Sequence, residues 1–305
     1  MDKIIQVDQL YKNYGALQAV KGISFYVERG KLFAFLGPNG AGKSTTIDIL
    51  CTLLKPDRGE VLIDGIALGQ NNDAIRKQIG VVFQESLLDP QLTVMENLQT
   101  RGRFYGLQGN ELQKAVERAL TVVEAHEFAK QAYGNCSGGQ RRRADITRAL
   151  IHTPKILFLD EPTTGLDPKT KENVWQTIEN LQKQSGMTVF LTTHYMEEAA
   201  KADYIILLQR GEIAAKGTPY DLQDRYSSDI MRLKARNPEK IERILAENQL
   251  SFALKNGIYV VPLTDTLLAI PLIQAMQEDL ESFEVVHGSM EDVFLNIIGG
   301  EWEHA

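Results

Sequence analysis

Two short stretches of this chain have residue types and spacings suited to holding phosphate. Gly37-Pro38-Asn39-Gly40-Ala41-Gly42-Lys43-Ser44-Thr45 fits the pattern G-x-x-x-x-G-K-[ST], directly after an apolar run. Its glycines let the backbone curl until the N–H groups face an anion. Lys43 adds a cation for β- and γ-phosphates, and the Ser44 hydroxyl can ligate Mg²⁺. The second stretch, Ser137-Gly138-Gly139-Gln140, follows Asn135-Cys136 and heads an arginine-studded helix. Free N–H groups and one hydroxyl there suit an anion docked at a helix N-terminus. One phosphate cradle already exists at Gly37 to Ser44, so the second motif is read as serving a neighbouring molecule.

Three further strand ends carry polar groups. Ile156-Leu157-Phe158-Leu159-Asp160-Glu161 places two carboxylates at the end of an apolar strand, on the edge where a nucleotide would lie. Asp160 would hold Mg²⁺, usually through water, and Glu161 would polarise the attacking water. Gln84 follows Gly80-Val81-Val82-Phe83, and His194 follows Leu191-Thr192-Thr193. An amide at Gln84 could reach Mg²⁺ or the water, and an imidazole at His194 could donate to the γ-phosphate. Taken alone, a Gln or a His reads as a solvated or satisfied neighbour. Their position beside Asp160 is what raises them.

The elements that must place these residues alternate. Apolar strands at 4–7, 22–27, 31–36, 61–63, 80–83, 155–159, 187–191 and 204–208 predict a parallel α/β sheet, interrupted by an all-helical insertion over about 88–150. Past Asp224 the order changes to strand, helix, two strands about Asn256-Gly257, helix, strand, and a last helix over 290–298. That βαββαβ order is the ferredoxin-like pattern and marks a second, small α+β domain over 225–305. Pro271 should kink the helix predicted for 264–280.

Bulk properties narrow the classes. The 305 residues suffice for two domains. A net charge of −7 disfavours bulk attraction to nucleic acid, and two cysteines, Cys51 and Cys136, argue against a disulfide framework and fit a reducing compartment. No signal peptide and no run of about 18 apolar residues is present, which predicts a soluble chain without direct membrane insertion.

In order and spacing, residues from about Leu10 to Asp224 resemble the ATP-binding subunit of the ABC transporter family. The resemblance identifies Gly37 to Ser44 as its Walker A, Gln84 as the Q-loop, and Ser137 to Gln140 as the signature. Leu157 to Glu161 matches Walker B with the catalytic Glu, Gly165-Leu166-Asp167 the D-loop, and His194 the switch histidine. Tyr14 lies where the family stacks adenine on an aromatic ring, although Tyr11 nearby keeps a packing role open. The resemblance implies a P-loop NTPase cassette over 1–224, built of a parallel sheet core, an antiparallel β-subdomain and a helical subdomain, with ATP and Mg²⁺ held between two copies. It also implies a separately encoded membrane permease docked near the helical insertion, and a cytoplasmic, membrane-peripheral location. Arg141-Arg142-Arg143, Thr192 to Ala199 and Met290 to Leu295 look like the drug-resistance-type exporters, which move drugs, lipids, polysaccharides or ions. The arginine triplet is read as structural or phosphate-side. Cys136 departs from the bulky apolar residue usual there. A competing reading, a soluble ABC ATPase acting on nucleic acid or ribosomes, would call for two cassettes or a coiled-coil insertion. This chain has neither.

Overall fold

Six strands carry the site. In sheet order they are Glu212–Gly217, Tyr204–Gln209, Leu32–Leu36, Thr188–Thr193, Ile156–Asp160 and Ile79–Val82. The middle four are buried almost throughout, which explains why they read as continuous apolar runs and not as alternating ones. Leu32–Leu36 runs parallel to both Thr188–Thr193 and Tyr204–Gln209, and Ile156–Asp160 runs parallel to Thr188–Thr193 and Ile79–Val82. Register then fixes function: Leu36 pairs with Thr193 and Asp160 with Thr192. The phosphate loop, the two acids and His194 therefore leave the sheet at one edge, as open parallel sheets place their ligands.

These residues belong to a computed structural model that describes residues 2–298 and divides into two units, Met1–Lys216 and Gly217–Ala305. In the first unit a second sheet is built on the long hairpin Lys3–Tyr14 and Leu17–Glu28, joined by Arg58–Ile63 and Ile66–Ala67. Phe25 of that hairpin packs on Phe33 and Phe35 at centroid distances of 5.7 and 5.0 Å, and Phe190 joins them from the next strand. Aromatic pairing of this kind welds the two sheets into one core. Between Ile79–Val82 and Ile156–Asp160 the chain runs through helices Val94–Phe104, Gly109–Val122 and Gly138–Leu150.

The second unit begins after Lys216, earlier than the boundary after Asp224 read from sequence. The reason is the helix Pro219–Tyr226, whose Tyr226 carbonyl accepts from Asn296 of the helix Met290–Ile298. Its four-stranded sheet has the order Ala253–Lys255, Ile258–Leu263, Asp229–Ala235, Leu280–Val286, with every neighbouring pair antiparallel. Asn256 and Gly257, with φ of 52° and 80°, make the hairpin turn that the sequence signals. Pro271 does not kink a long helix. The segment forms a 3₁₀ turn at Thr266–Leu268 and a helix Ala269–Met276, so Pro271 sits in its first turn, where a missing N–H costs nothing.

Candidate active site

The loop after Leu36 closes on itself around Lys43. Gly42 takes φ 102°, a conformation open to glycine, and a Cβ there would stand 2.5 Å from the Ala19 carbonyl oxygen. No side chain caps the helix Lys43–Leu50, so its first N–H groups remain available to an anion. Lys43 is 4 % exposed. Its Nζ donates to the carbonyls of Gly37 (2.7 Å) and Pro38 (3.0 Å) and lies 3.9 Å from Glu161 Oε1. Burial lowers the Lys43 pKa, opposed by the charges of Glu161 and Asp160. A desolvated cation next to unbonded N–H groups is a strong phosphate receptor.

Glu161 is held by what surrounds it. Its φ of 45° lies in the left-handed region, rare for a residue with a side chain. Thr192, fully buried on the next strand, accepts from the Glu161 N–H at 3.1 Å and donates to Asp160 Oδ1. The Glu161 carboxylate accepts from Thr164 Oγ1 at 3.1 Å and lies 3.3 Å from His194 Nδ1, a contact without hydrogen-bond alignment. The His194 ring rests 4.0 Å from that of Tyr195.

Tyr14, Asn39, Gly40, Gly42, Lys43, Ser44, Thr45, Gln84, Glu161 and His194 all line one open cleft of about 890 Å³. Gly37, Pro38 and Ala41 form the loop behind them. Thr164, Lys21 and Arg210, which the sequence reading did not single out, line it too. Tyr14 is 48 % exposed, at the end of a hairpin strand and beside Lys12, so it is not core packing. No group of three His, Cys, Asp or Glu with metal-binding spacing occurs among the described residues. Ser44 and Gln84 line the cleft and Asp160 lies at the strand end behind Glu161; all three side chains offer oxygen donors, the chemistry that suits Mg²⁺.

Ser137 to Gln140 and Asp167 do not line this cleft. Ser137 caps the helix Gly138–Leu150 in a reciprocal box: its Oγ accepts from Gln140 N (3.3 Å), and Gln140 Oε1 accepts from Ser137 N (2.9 Å). The N–H groups of Gly138 and Gly139 stay uncapped. A Cβ at Gly139 would meet the Thr170 methyl at 2.5 Å, so a side chain there would force Thr170 to move. Asp167 caps that helix, Pro168–Ser185, and the Thr170 hydrogen bonds hold its carboxyl below the usual range. Cys136 is buried with a raised pKa caused by desolvation, which leaves it an inert packing residue.

The arginine triplet is structural. Arg141 donates to the carbonyls of Cys136 and Gly134, and Arg143 to Glu124 O and the Glu127 carboxylate. Arg142 donates to four backbone carbonyls, those of Phe83, Asp160, Glu161 and Pro162. Nothing in local spacing reveals these partners. The available signal was that charged residues recur at i, i+3 and i+6 (Arg142, Asp145, Arg148) along one face of a helix; the structure buries all three.

The family model described as "ABC transporter" matches residues 20–164. The linearmycin resistance ATP-binding protein LnrL of Bacillus subtilis is 41 % identical over 229 residues, 75 % of this chain and 73 % of that protein. The Nod factor export ATP-binding protein I of Ralstonia nicotianae is 35 % identical over 310 residues, covering 98 % and 94 %. The daunorubicin/doxorubicin resistance ATP-binding protein DrrA of Streptomyces peucetius is 36 % identical, covering 97 % and 93 %. Among solved structures, a dimeric post-hydrolysis ATP-binding cassette, MJ0796, bound to ADP and Pi, superimposes with a TM-score of 0.64 at 33 % identity, covering 70 % of this chain and 98 % of that one. The cbiO1 structure from Clostridium perfringens gives 0.69 at 28 %, covering 81 % and 96 %. Relatives this similar over 73 to 94 % of their length, with the phosphate loop, Glu161 and His194 gathered at one sheet edge, show that this chain belongs to the ABC transporter family, as one of its ATP-binding, ATP-hydrolysing subunits.

Proposed function

We propose that the chain powers export through a separate membrane permease, working as a pair of identical copies on the cytoplasmic face of the membrane. The observation that carries the hydrolytic half is the convergence of Lys43 Nζ (3.9 Å) and His194 Nδ1 (3.3 Å) on one oxygen of Glu161, inside the cleft. Lys43 would leave the Gly37 and Pro38 carbonyls for the β- and γ-phosphates. That frees Glu161 to accept a proton from water in line with the γ-phosphate. His194 would donate to the γ-phosphate and, through the same contact, orient Glu161. Tyr14 would stack on adenine, with the main chain of Asn39 to Thr45 holding the phosphates. Ser44 and Gln84 would hold Mg²⁺ directly and Asp160 through water; the ion supplies neutralising charge to the phosphate oxygens.

The paired arrangement is supported by Ser137 to Gln140 and Asp167. Ser137 to Gln140 carry anion-binding chemistry, and neither they nor Asp167 line the chain's own cleft; the solved relative MJ0796 is a dimer. The drug and Nod factor export named for the relatives supports export here, and no helix among the described residues is long and apolar enough to cross a membrane. We read the C-terminal sheet order as ferredoxin-like and assign that unit to stabilising the pair, with the cassette ending near its boundary. Co-expression with the permease should lower cellular accumulation of an amphipathic drug, and Lys43→Ala should abolish that effect. Equal accumulation with wild type and variant contradicts export. DNA or RNA binding that survives about 150 mM salt would favour the nucleic-acid reading.

A further inference from the structure

Arg142 is a charged residue that the reaction proposed above leaves unused. It is 7 % exposed, two residues beyond the signature's Ser137-Gly138-Gly139-Gln140 on the same helix, and its guanidinium is spent on main-chain oxygens. Nε donates to Pro162 O at 2.7 Å, Nη1 to Phe83 O at 2.6 Å, and Nη2 to Asp160 O at 2.9 Å and Glu161 O at 3.1 Å. Three consecutive carbonyls of the turn that carries Glu161, and the carbonyl just before Gln84, thus close on one rigid planar fork. That turn contains the left-handed Glu161, a conformation that persists only where its surroundings over-determine it. The same helix face is fastened to the neighbouring strand and its exit. Ser86 Oγ donates to Asp145 Oδ1 at 2.7 Å, and Arg148 Nη2 donates to Val81 O. The signature helix cannot shift without pulling on the turn that presents Glu161.

We infer that Arg142 is a positioning residue for hydrolysis, linking the signature helix to the Asp160–Pro162 turn of its own subunit. The inference rests on the paired-copy reading above. Nucleotide docked on one subunit's Ser137 to Gln140 would then set the Glu161 that serves that subunit's own phosphate loop. Each Arg142 couples the two sites.

The test is Arg142→Lys, which keeps the charge and loses the fork, with Arg142→Gln as a second variant and Arg143→Lys as a control off this contact. ATPase kinetics should show kcat lowered at least about tenfold with KM for ATP within about threefold, and the Hill coefficient falling to about one. In a Glu161→Gln background, the ATP concentration that drives pairing should shift by less than about threefold, because the signature face is untouched. Arg143→Lys should behave as wild type. Three results overturn the inference: kcat retained in Arg142→Lys, a raised KM with a matching loss of pairing, or loss of the native circular dichroism in both Arg142 variants. If Glu161→Gln with native Arg142 fails to pair in ATP, the paired-copy reading itself has failed, and the two failures are told apart.

Discussion

Thr192→Val isolates one hydroxyl at the heart of the site. Valine keeps the shape of threonine, so no cavity forms in a position that is fully buried. Two hydrogen bonds disappear: the one donated to Asp160 Oδ1 and the one accepted from the Glu161 N–H at 3.1 Å. A bond to a carboxylate contributes about 1.5–3 kcal/mol and a neutral one about 0.5–1.5, and the partners left behind remain partly buried. The gain from a more apolar side chain offsets part of this, so we expect a loss of about 2–3 kcal/mol. In a unit of this size that is a fall in Tm of roughly 5–10 °C. Catalysis should suffer separately, because Glu161 loses the tether that holds its left-handed main chain; about 1.5–3 kcal/mol of positioning corresponds to a kcat lower by roughly ten- to a hundredfold. Urea denaturation and steady-state ATPase measurements read the two effects independently. A stability change under about 0.5 kcal/mol together with unchanged kcat would refute the role given to this hydroxyl.

Other perturbations follow the same logic. Tyr14→Ala should weaken ATP binding by roughly five- to thirtyfold in a titration, while Tm moves little because the ring is half exposed; a large Tm loss would mean that the ring is core. His152 is stacked 4.0 Å from Tyr105 with Nε2 against the Ile79 carbonyl, and burial lowers its pKa. Its folded-state pKa is depressed, so its contribution is present above the ordinary value of about 6.5 and is lost as pH falls below it, where the unfolded chain takes up a proton that the folded chain resists. Stability measured from pH 7.5 down to 5.5 should therefore fall more steeply in wild type than in His152→Gln, by up to about 1.4 kcal/mol per pH unit. Parallel curves would show that His152 titrates normally.

The parts of this fold that were legible are those written in contiguous residues. The phosphate loop is one such piece, since curling, cation and hydroxyl are all specified between Gly37 and Thr45, and the buried strands announce themselves as apolar runs. Asp160, Gln84 and His194 could be placed at one edge from sequence because parallel strands share an edge. What escaped depends on partners far apart in the chain. Thr192 looks like an ordinary strand threonine until register sets it beside Asp160, and Arg142 reaches carbonyls of residues 83 and 160–162. The first hairpin was seen only in fragments because its register shifts between Val7 and Tyr11, where Gln9 takes φ 48°, and the two-residue alternation breaks. Glu212–Gly217 was missed because an Ala-Ala pair gives no strand signal. Pro271 was misjudged because a start signal hides inside a helical pattern.

The central claim is that ATP is held between the phosphate loop of one copy and Ser137 to Gln140 of another, with Glu161 as the group that ends that state by hydrolysis. Sedimentation velocity on Glu161→Gln, with and without ATP and Mg²⁺, tests it most directly. Monomer without nucleotide and a stable dimer with ATP are expected, and Ser137→Arg should return the dimer to monomer. A Glu161→Gln protein that binds ATP yet sediments as a monomer at every concentration would contradict it.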